Sequence, residues 1–169
     1  SKIEVYTDGS ATTADKPGGW GYVILVDGVK HSEASGGLQK ATNNVAEITA
    51  AIEGLRAASL LQANANGNAR TDGNARTDGV NDVSIELISD SQLVLRYATG
   101  EYQCRKYHLL PLYLELRKHY RSTGATTRWV RGHSGDTYNE QCDKLAKAAR
   151  ANVTSSGLHT INKVDEVSD

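Results

Sequence analysis

The chain has 169 residues, of which 38% are hydrophobic; this is enough to bury one core and too short for two full domains. The net charge of −1 lacks the basic excess that is typical of nucleic-acid-binding domains. The first residues contain neither a cationic start nor a long apolar stretch, so we expect no signal peptide, no membrane span and a cytoplasmic location. Cys104 and Cys142 lack the spacing of a zinc site and are expected to be reduced thiols.

The start of the chain predicts two or three antiparallel strands. Residues 3–7 alternate apolar and polar side chains, as a half-buried strand does. Two further runs, residues 20–26 and 29–34, are joined by Asp27-Gly28, a dipeptide typical of a two-residue hairpin turn. A hairpin is therefore expected to follow the first strand.

Helical patterns begin after residue 42. Apolar residues recur at helical spacing from 43 to about 61, and Thr42 or Asn43 could cap the start of this helix. The remaining predicted elements are a strand over 83–88, a helix over 91–99 ending at Gly100, a helix over 109–120 beside Pro111, a strand over 126–130 and a helix over 139–151. Strands first and helices interleaved later indicate a mixed sheet with helices packed on its faces.

Two segments look like additions to this core. Residues 63–82 are rich in Asn, Gly and Ala, and contain the sequence Asn-Ala-Arg-Thr-Asp-Gly twice, at 68–73 and 74–79. Two copies of a six-residue unit cannot build a solenoid, so we predict a flexible surface loop. Residues 152–169 are polar without helical periodicity and are expected to form a largely disordered tail. The prediction is therefore one domain over 1–151 with an insertion at 63–82.

Four acidic residues lie at predicted strand ends or helix starts: Asp8, Glu47, Asp90 and Asp143. Taken singly, each has a simpler explanation. The tripeptide Thr-Asp-Gly around Asp8 recurs twice in the insertion, Asp90 could be a helix N-cap, and Glu47 and Asp143 could be first-turn acids that favour the helix dipole.

The set of four acids indicates more than any one of them. Acids from strand ends and helix starts can converge at one end of a sheet, and converging carboxylates repel each other unless cations hold them together. Oxygen-only ligands favour Mg²⁺ or Mn²⁺ over zinc. Two such ions about 4 Å apart can activate a water and stabilise the leaving oxygen in phosphodiester hydrolysis.

Six sequence pieces, in this order, make the chain resemble the type 1 ribonuclease H family. They span residues 3 to about 150 and are Tyr6-Thr7-Asp8-Gly9-Ser10, Gly18-Gly19-Trp20-Gly21, Thr42-Asn43-Asn44-Val45-Ala46-Glu47, Ser89-Asp90-Ser91-Gln92, Trp129-Val130-Arg131-Gly132-His133-Ser134-Gly135 and residues 139–146. The resemblance implies an α/β fold, ribonuclease H-like, with a mixed five-stranded sheet and helices packed on both faces.

The resemblance also implies the site and the activity. The implied catalytic and metal-binding residues are Asp8, Glu47, Asp90 and Asp143. His133, on a glycine-flanked loop, would assist the attacking water or product release, although a lone loop histidine is otherwise simply exposed. The implied reaction is hydrolysis of the RNA strand of RNA/DNA hybrids with two Mg²⁺ ions, or Mn²⁺, leaving 5′-phosphate and 3′-hydroxyl ends.

Substrate contacts follow from the same resemblance. Asn43, Asn44 and Gln92 would hydrogen-bond to base edges and sugars in the minor groove, where the 2′-hydroxyl distinguishes RNA from DNA. Thr42 would help to hold a phosphate of the DNA strand, and Ser10 belongs to the same substrate-binding set. The expected partner is the RNA/DNA hybrid, with no membrane, and we expect a monomer.

The chain departs from the family pattern in three places. Residues 14–18 replace the family's usual Gly-Asn-Pro-Gly, the insertion has no counterpart, and residues 100–126 leave no room for a Lys- and Trp-rich protrusion. Basic residues that could compensate in part, or could simply form a solvated helix face, are Arg105, Lys106, Arg117, Lys118 and Arg121. We therefore expect weaker, salt-sensitive substrate binding.

Other functions are compatible with the same fold. The chain could be a non-catalytic RNA/DNA-binding module, although retention of all four acids and His133 argues against lost chemistry. It could be a related nuclease that acts on DNA, which Asn43, Asn44 and Gln92 disfavour. It could also be a domain cut from a reverse transcriptase.

Overall fold

The computed structural model describes residues 1–71 and 83–153. This part of the chain contains five strands: β1 (Lys2–Ala11), β2 (Gly18–Val26), β3 (Val29–Leu38), β4 (Ser84–Ser89) and β5 (Thr126–Trp129). It contains four α-helices, α1 (Asn43–Thr71), α2 (Gln92–Thr99), α3 (Leu110–Thr123) and α4 (Thr137–Ala151), and a 3-10 helix at Tyr107–Leu109. No helix of these two ranges is both long enough and apolar enough to cross a membrane.

The strands form one mixed sheet in the order β3-β2-β1-β4-β5. β1 pairs antiparallel with β2, β2 antiparallel with β3, β1 parallel with β4, and β4 parallel with β5. Asp27 and Gly28 have φ angles of 51° and 83°, the left-handed pair that a type I′ hairpin turn requires. The predicted mixed sheet and its hairpin are confirmed.

Helices cover both faces of the sheet, as predicted. Side chains of a strand point alternately to the two faces, so Val5 and Tyr6 of β1 face opposite layers. Val5 packs in a core that includes Ile48 and Leu55 of α1, and helices α2 and α3 complete that layer. Tyr6 packs on the other face against Cys142 of α4. β1 is therefore the central strand, with a helix directly above it and another below.

Helix α1 approaches β1 so closely that only glycine fits at residue 9. A Cβ at Gly9 would lie 2.4 Å from the backbone carbon of Ala46 and 2.5 Å from the backbone nitrogen of Glu47. Both neighbours are backbone atoms, so a rotamer change cannot relieve the clash. Gly9 therefore fixes the distance between β1 and the first turns of α1, rather than allowing a turn of its own backbone.

Replacement of Gly9 by alanine is expected to destabilise the protein by about 2–4 kcal/mol, because the helix must move away from the strand. Gly28→Ala is the matched control: nothing lies within 4 Å of a Cβ there, so only the left-handed φ opposes it. That variant should lose about 1 kcal/mol. Urea unfolding measures both, and an equal loss in the two variants would contradict the close approach.

The predicted loop over residues 63–82 is wrong in its first part. Helix α1 continues to Thr71, ten residues beyond the predicted end. Sequence periodicity ends near Leu61 because residues 63–65 are exposed, but backbone hydrogen bonding does not need an apolar face. Gln62 fastens this part of the helix, since its Nε2 donates to the carbonyl oxygens of Val83 (3.2 Å) and Thr123 (3.1 Å). Residues 72–82 and 154–169, with the rest of the insertion and most of the tail, lie outside the described residues.

Helix α4 begins two residues earlier than predicted. Asp136 is its N-cap, and the carboxylate accepts hydrogen bonds from the backbone N–H groups of Tyr138 (3.1 Å) and Asn139 (2.9 Å). An aspartate in this position satisfies backbone donors that the first turn leaves free. The cap fixes where α4 begins, and with it the orientation of the residues that face the sheet.

Candidate active site

Three of the predicted acids meet at one end of the sheet. Asp8, Glu47 and Asp90 each offer a carboxylate oxygen that lies within 4.8 Å of the other two. Parallel pairing aligns β1 with β4 so that Thr7 is opposite Ser89, which places Asp8 and Asp90 side by side just after this pairing ends. β4 ends there, but β1 continues to Ala11, beyond the predicted strand end at residue 7, because it stays paired with β2. Glu47 comes from the second turn of α1. The topology therefore converts three distant sequence positions into one cluster.

Hydrogen bonds orient this cluster. The backbone N–H of Gly9 donates to Asp8 Oδ1 at 2.9 Å and to Glu47 Oε1 at 3.2 Å. Buried Asn139 of α4 makes a side-chain hydrogen bond with Asp90. Each of the three carboxylates thus has a donor that fixes its direction.

Burial and mutual repulsion make the cluster electrostatically strained. Burial and the charge of Asp90 raise the pKa of Asp8, only 5% exposed, to about 7. Burial and the charge of Asp8 raise the pKa of Glu47 well above its ordinary value. Burial raises the pKa of Asp90, opposed by the Asn139 hydrogen bond. A hard cation between these oxygens would offset the repulsion, so the three residues fit a divalent metal ion.

Asp143 lies near the cluster but is not among the three converging residues. It sits on the second turn of α4, and its Oδ2 lies 3.1 Å from Lys147 Nζ. Its negative charge nevertheless raises the pKa values of both Asp8 and Asp90, so it faces the same end of the sheet. Of the four predicted acids, the structure brings three together and leaves the fourth in an ion pair beside them.

The loop that carries His133 lies against Asp90. A Cβ at Gly132 would meet Asp90 Oδ2 at 2.8 Å, so a side chain at that position would push against the Asp90 carboxylate. His133 has a φ of 55°, a left-handed backbone that is uncommon outside glycine, and its charge lowers the pKa of Asp90. The imidazole is exposed at the rim of the acidic cluster.

The structure also shows which of the predicted residues cap helices. Asp90 is not the N-cap of α2, because Ser91 is, and its Oγ accepts from Val94 N at 3.1 Å. Thr42 does cap α1, with its Oγ1 accepting from Val45 N at 3.2 Å. Asn43 has another role, since its Oδ1 accepts from the backbone N–H of Ala11 at 3.1 Å and joins α1 to β1.

The remaining predicted substrate residues differ in accessibility. Gln92 is exposed as the first residue of α2, and Asn44 is partly exposed on the first turn of α1. Both could reach a ligand that lies across the end of the sheet. Ser10 is only 6% exposed, and its Oγ accepts a hydrogen bond from Arg150 at 2.7 Å, so the hydroxyl oxygen already has a partner within the protein.

Two residues near the acids were missed at the sequence level. Asn139 lies four residues before Asp143, so helical spacing already placed both on one face of α4. Trp129 is 44% exposed, yet its indole N–H donates to the backbone oxygen of Asp90 at 3.1 Å. No sequence pattern indicates the hydrogen bond between Trp129 and Asp90, because it depends on how β5 ends beside β4.

The proposed compensating basic residues are not equivalent. Arg117 donates to the backbone oxygen of Ala98 at 2.7 Å, so it holds α3 against α2. Lys118 Nζ lies 4.0 Å from a Glu115 carboxylate oxygen. The other three, Arg105, Lys106 and Arg121, are exposed. Weaker, salt-sensitive binding stays a prediction.

An α/β domain with clustered carboxylates at the ends of parallel strands, beside a loop histidine, has the features of a metal-dependent phosphoryl-transfer enzyme. The RNase H family model matches residues 1–151. The chain is 34% identical over 155 residues to the ribonuclease H of Hahella chejuensis, covering 85% of this chain and 90% of that one. It is 35% identical over 160 residues to that of Aeromonas salmonicida, covering 87% and 88%. The chain belongs to the RNase H family, and its enzyme class is ribonuclease H.

Solved structures agree with this fold. RNase H1 of the archaeon Halobacterium salinarum has a TM-score of 0.65 at 26% identity, covering 88% of this chain and 97% of that one. LC11-RNase H1, isolated from compost, has a TM-score of 0.67 at 27% identity, covering 89% and 96%. LC11-RNase H1 has also been solved in complex with an RNA/DNA hybrid. The predicted ribonuclease H-like fold is confirmed.

Proposed function

We propose that this protein is an endonuclease that hydrolyses the RNA strand of RNA/DNA hybrids and leaves 5′-phosphate and 3′-hydroxyl ends. The observation that carries the proposal is the convergence of Asp8, Glu47 and Asp90 within 4.8 Å of one another. Family membership supports the reaction, and the hybrid bound to LC11-RNase H1 supports the substrate.

Asp8, Glu47 and Asp90 would hold the metal, and Asp143 would complete the ligand set of a two-ion site. Mg²⁺ fits this all-oxygen set, and Mn²⁺ fits it as well. Divalent cations at such a site supply Lewis acidity to an attacking water and to the leaving 3′ oxygen. The protein supplies the positions of the oxygens, which Gly9 N–H and Asn139 fix before any ligand arrives.

The rim residues have separate tasks in this proposal. His133 is exposed next to Asp90, where it can exchange a proton with the attacking water or with the released end. Asn44 and Gln92 present amide groups from the starts of α1 and α2. Amide donors and acceptors of this kind suit a shallow minor groove with 2′-hydroxyls.

A cleavage assay with end-labelled nucleic acids tests the function. With Mg²⁺ or Mn²⁺, only the RNA strand of the hybrid should be cut, the products should carry 5′-phosphates, and EDTA should stop the reaction. RNA duplex and DNA duplex of the same sequence are the controls. Cleavage of the DNA duplex without cleavage of the hybrid would favour a DNA nuclease, and hybrid binding without cleavage in either metal would favour a non-catalytic module.

A further inference from the structure

The four carboxylates at the end of the sheet have different neighbours. Asp8, Glu47 and Asp90 converge on one another, whereas Asp143 Oδ2 lies 3.1 Å from Lys147 Nζ. Among the side chains that the structure describes, in residues 1–66 and 83–153, Lys147 is the only lysine or arginine whose nitrogen lies within 4.0 Å of any of these four carboxylates. Lys147 is thus paired with the one acid outside the cluster.

We propose that Lys147 is a built-in counter-ion of the active site, which pairs with Asp143 when no divalent cation is bound and must release it before Asp143 can become a metal ligand. This inference rests on the proposed function, because it presumes that the cluster binds a divalent cation. It assigns a positioning role to Lys147 and makes that residue a competitor of the metal.

Helix geometry keeps the competitor in place. Asp143 and Lys147 are four residues apart on α4, so their side chains are neighbours on one face in every state in which the helix is intact. The negative charges of Asp8 and Asp90, whose pKa values the charge of Asp143 raises, attract the ammonium group toward the cluster.

Exchange of the pair is structurally easy. The Lys147 side chain is 53% exposed, against 21% for Asp143, so the ammonium group can move into solvent without opening the core. An ion pair as open to water as this one is weak, and a divalent cation with several carboxylate ligands can displace it. The pair therefore screens the acids in the free protein and leaves the site ready for metal.

Metal titration of the free enzyme tests this role without substrate. Lys147→Met keeps the long side chain but removes its charge, and should tighten Mg²⁺ binding roughly three- to fivefold by calorimetry, the range that a weak exposed ion pair allows. Lys144→Met is the matched control, because it removes an equal charge from an exposed position on the same helix. It should change the Mg²⁺ dissociation constant by less than about twofold, since an exposed charge farther from the ligands is screened.

A second readout separates competition from a structural role. The gain in melting temperature between EDTA and saturating Mg²⁺ should be larger for Lys147→Met than for the wild type, whereas a merely structural loss would lower both temperatures equally. In an Asp143→Asn background, Lys147→Met should no longer tighten Mg²⁺ binding.

The outcomes distinguish this inference from the function on which it rests. Wild-type protein that fails to bind Mg²⁺ or Mn²⁺ would overturn the metal site itself. Wild-type protein that binds Mg²⁺, with Lys147→Met no tighter than Lys144→Met, would overturn the role of Lys147 alone. If Lys147→Met still tightened Mg²⁺ binding in the Asp143→Asn background, the tightening would not depend on the ion pair. That result would also overturn the proposed role of Lys147.

Discussion

Asp8→Asn is expected to reduce cleavage of the hybrid by at least about a hundredfold to a thousandfold, the range seen when one preorganised charged or polar group is removed from an active site. Asp8 is the most buried of the three clustered acids and the one whose pKa both Asp90 and Asp143 raise. An amide has nearly the same shape but no charge, so it removes a metal ligand without leaving a cavity.

The same substitution should leave the metal-free fold at least as stable as the wild type, because it removes a buried charge that its neighbours repel. Initial rates on a labelled hybrid and melting temperatures in EDTA measure the two effects. Asp27→Asn is the matched control, since it makes the same chemical change in a hairpin turn where asparagine is also favoured. Cleavage by Asp8→Asn at the wild-type rate would remove Asp8 from the reaction, and a lowered melting temperature would contradict the repulsion.

The metal-free protein should lose stability as the pH rises from about 4 to about 7. The ordinary pKa of Asp8 is 3.8, and in the folded protein burial and then the charge of Asp90 raise it to about 7. Between these values the folded state keeps a proton that the unfolded state has lost, so each rise in pH favours unfolding. The difference corresponds to at most about 4 kcal/mol, shared with Glu47, whose pKa is raised for the same reasons.

Urea unfolding in EDTA across this pH range measures the slope. Asp8→Asn should have a flatter profile than the wild type, and saturating Mg²⁺ should flatten the wild-type profile too, because a bound cation favours the ionised carboxylates. The comparison between variants is the decisive one, since surface acids such as Asp27, whose pKa is lowered by the backbone N–H of Lys2, act in the opposite direction. An unchanged slope in Asp8→Asn would show that Asp8 is not the source.

Much of this site could be predicted from the sequence because its residues follow regular patterns. Asp8 and Asp90 each follow a run of strand residues, and parallel pairing of such runs forces their ends together. Glu47 could be placed because the helix in whose second turn it lies has apolar residues at helical spacing. The mixed sheet was predictable for the same reason, since the Asp27-Gly28 turn and the later alternation of strands and helices allow few arrangements.

The other features depend on contacts that no local pattern encodes. The ion pair of Asp143 with Lys147 competes with convergence on the cluster, and the sequence alone gives no way to rank the two. Ser10 fits the family motif, yet its hydroxyl oxygen accepts a hydrogen bond from Arg150 of the last helix. The length of α1 was underestimated because amphipathic periodicity marks contact with the core rather than the extent of the helix.

The long first helix also separates the reacting end of the molecule from its repeated sequence. At about 1.5 Å per residue, Thr71 stands roughly 36 Å along the helix axis from Glu47. Gln62 ties the helix to Val83 and Thr123 six residues before the first repeat begins at Asn68, so the helix is anchored between the acids and the repeats. A change in the number of hexapeptides would begin beyond this anchor, so the acids could keep their spacing, and the repeat is a natural place for evolution, or an experimenter, to lengthen the chain.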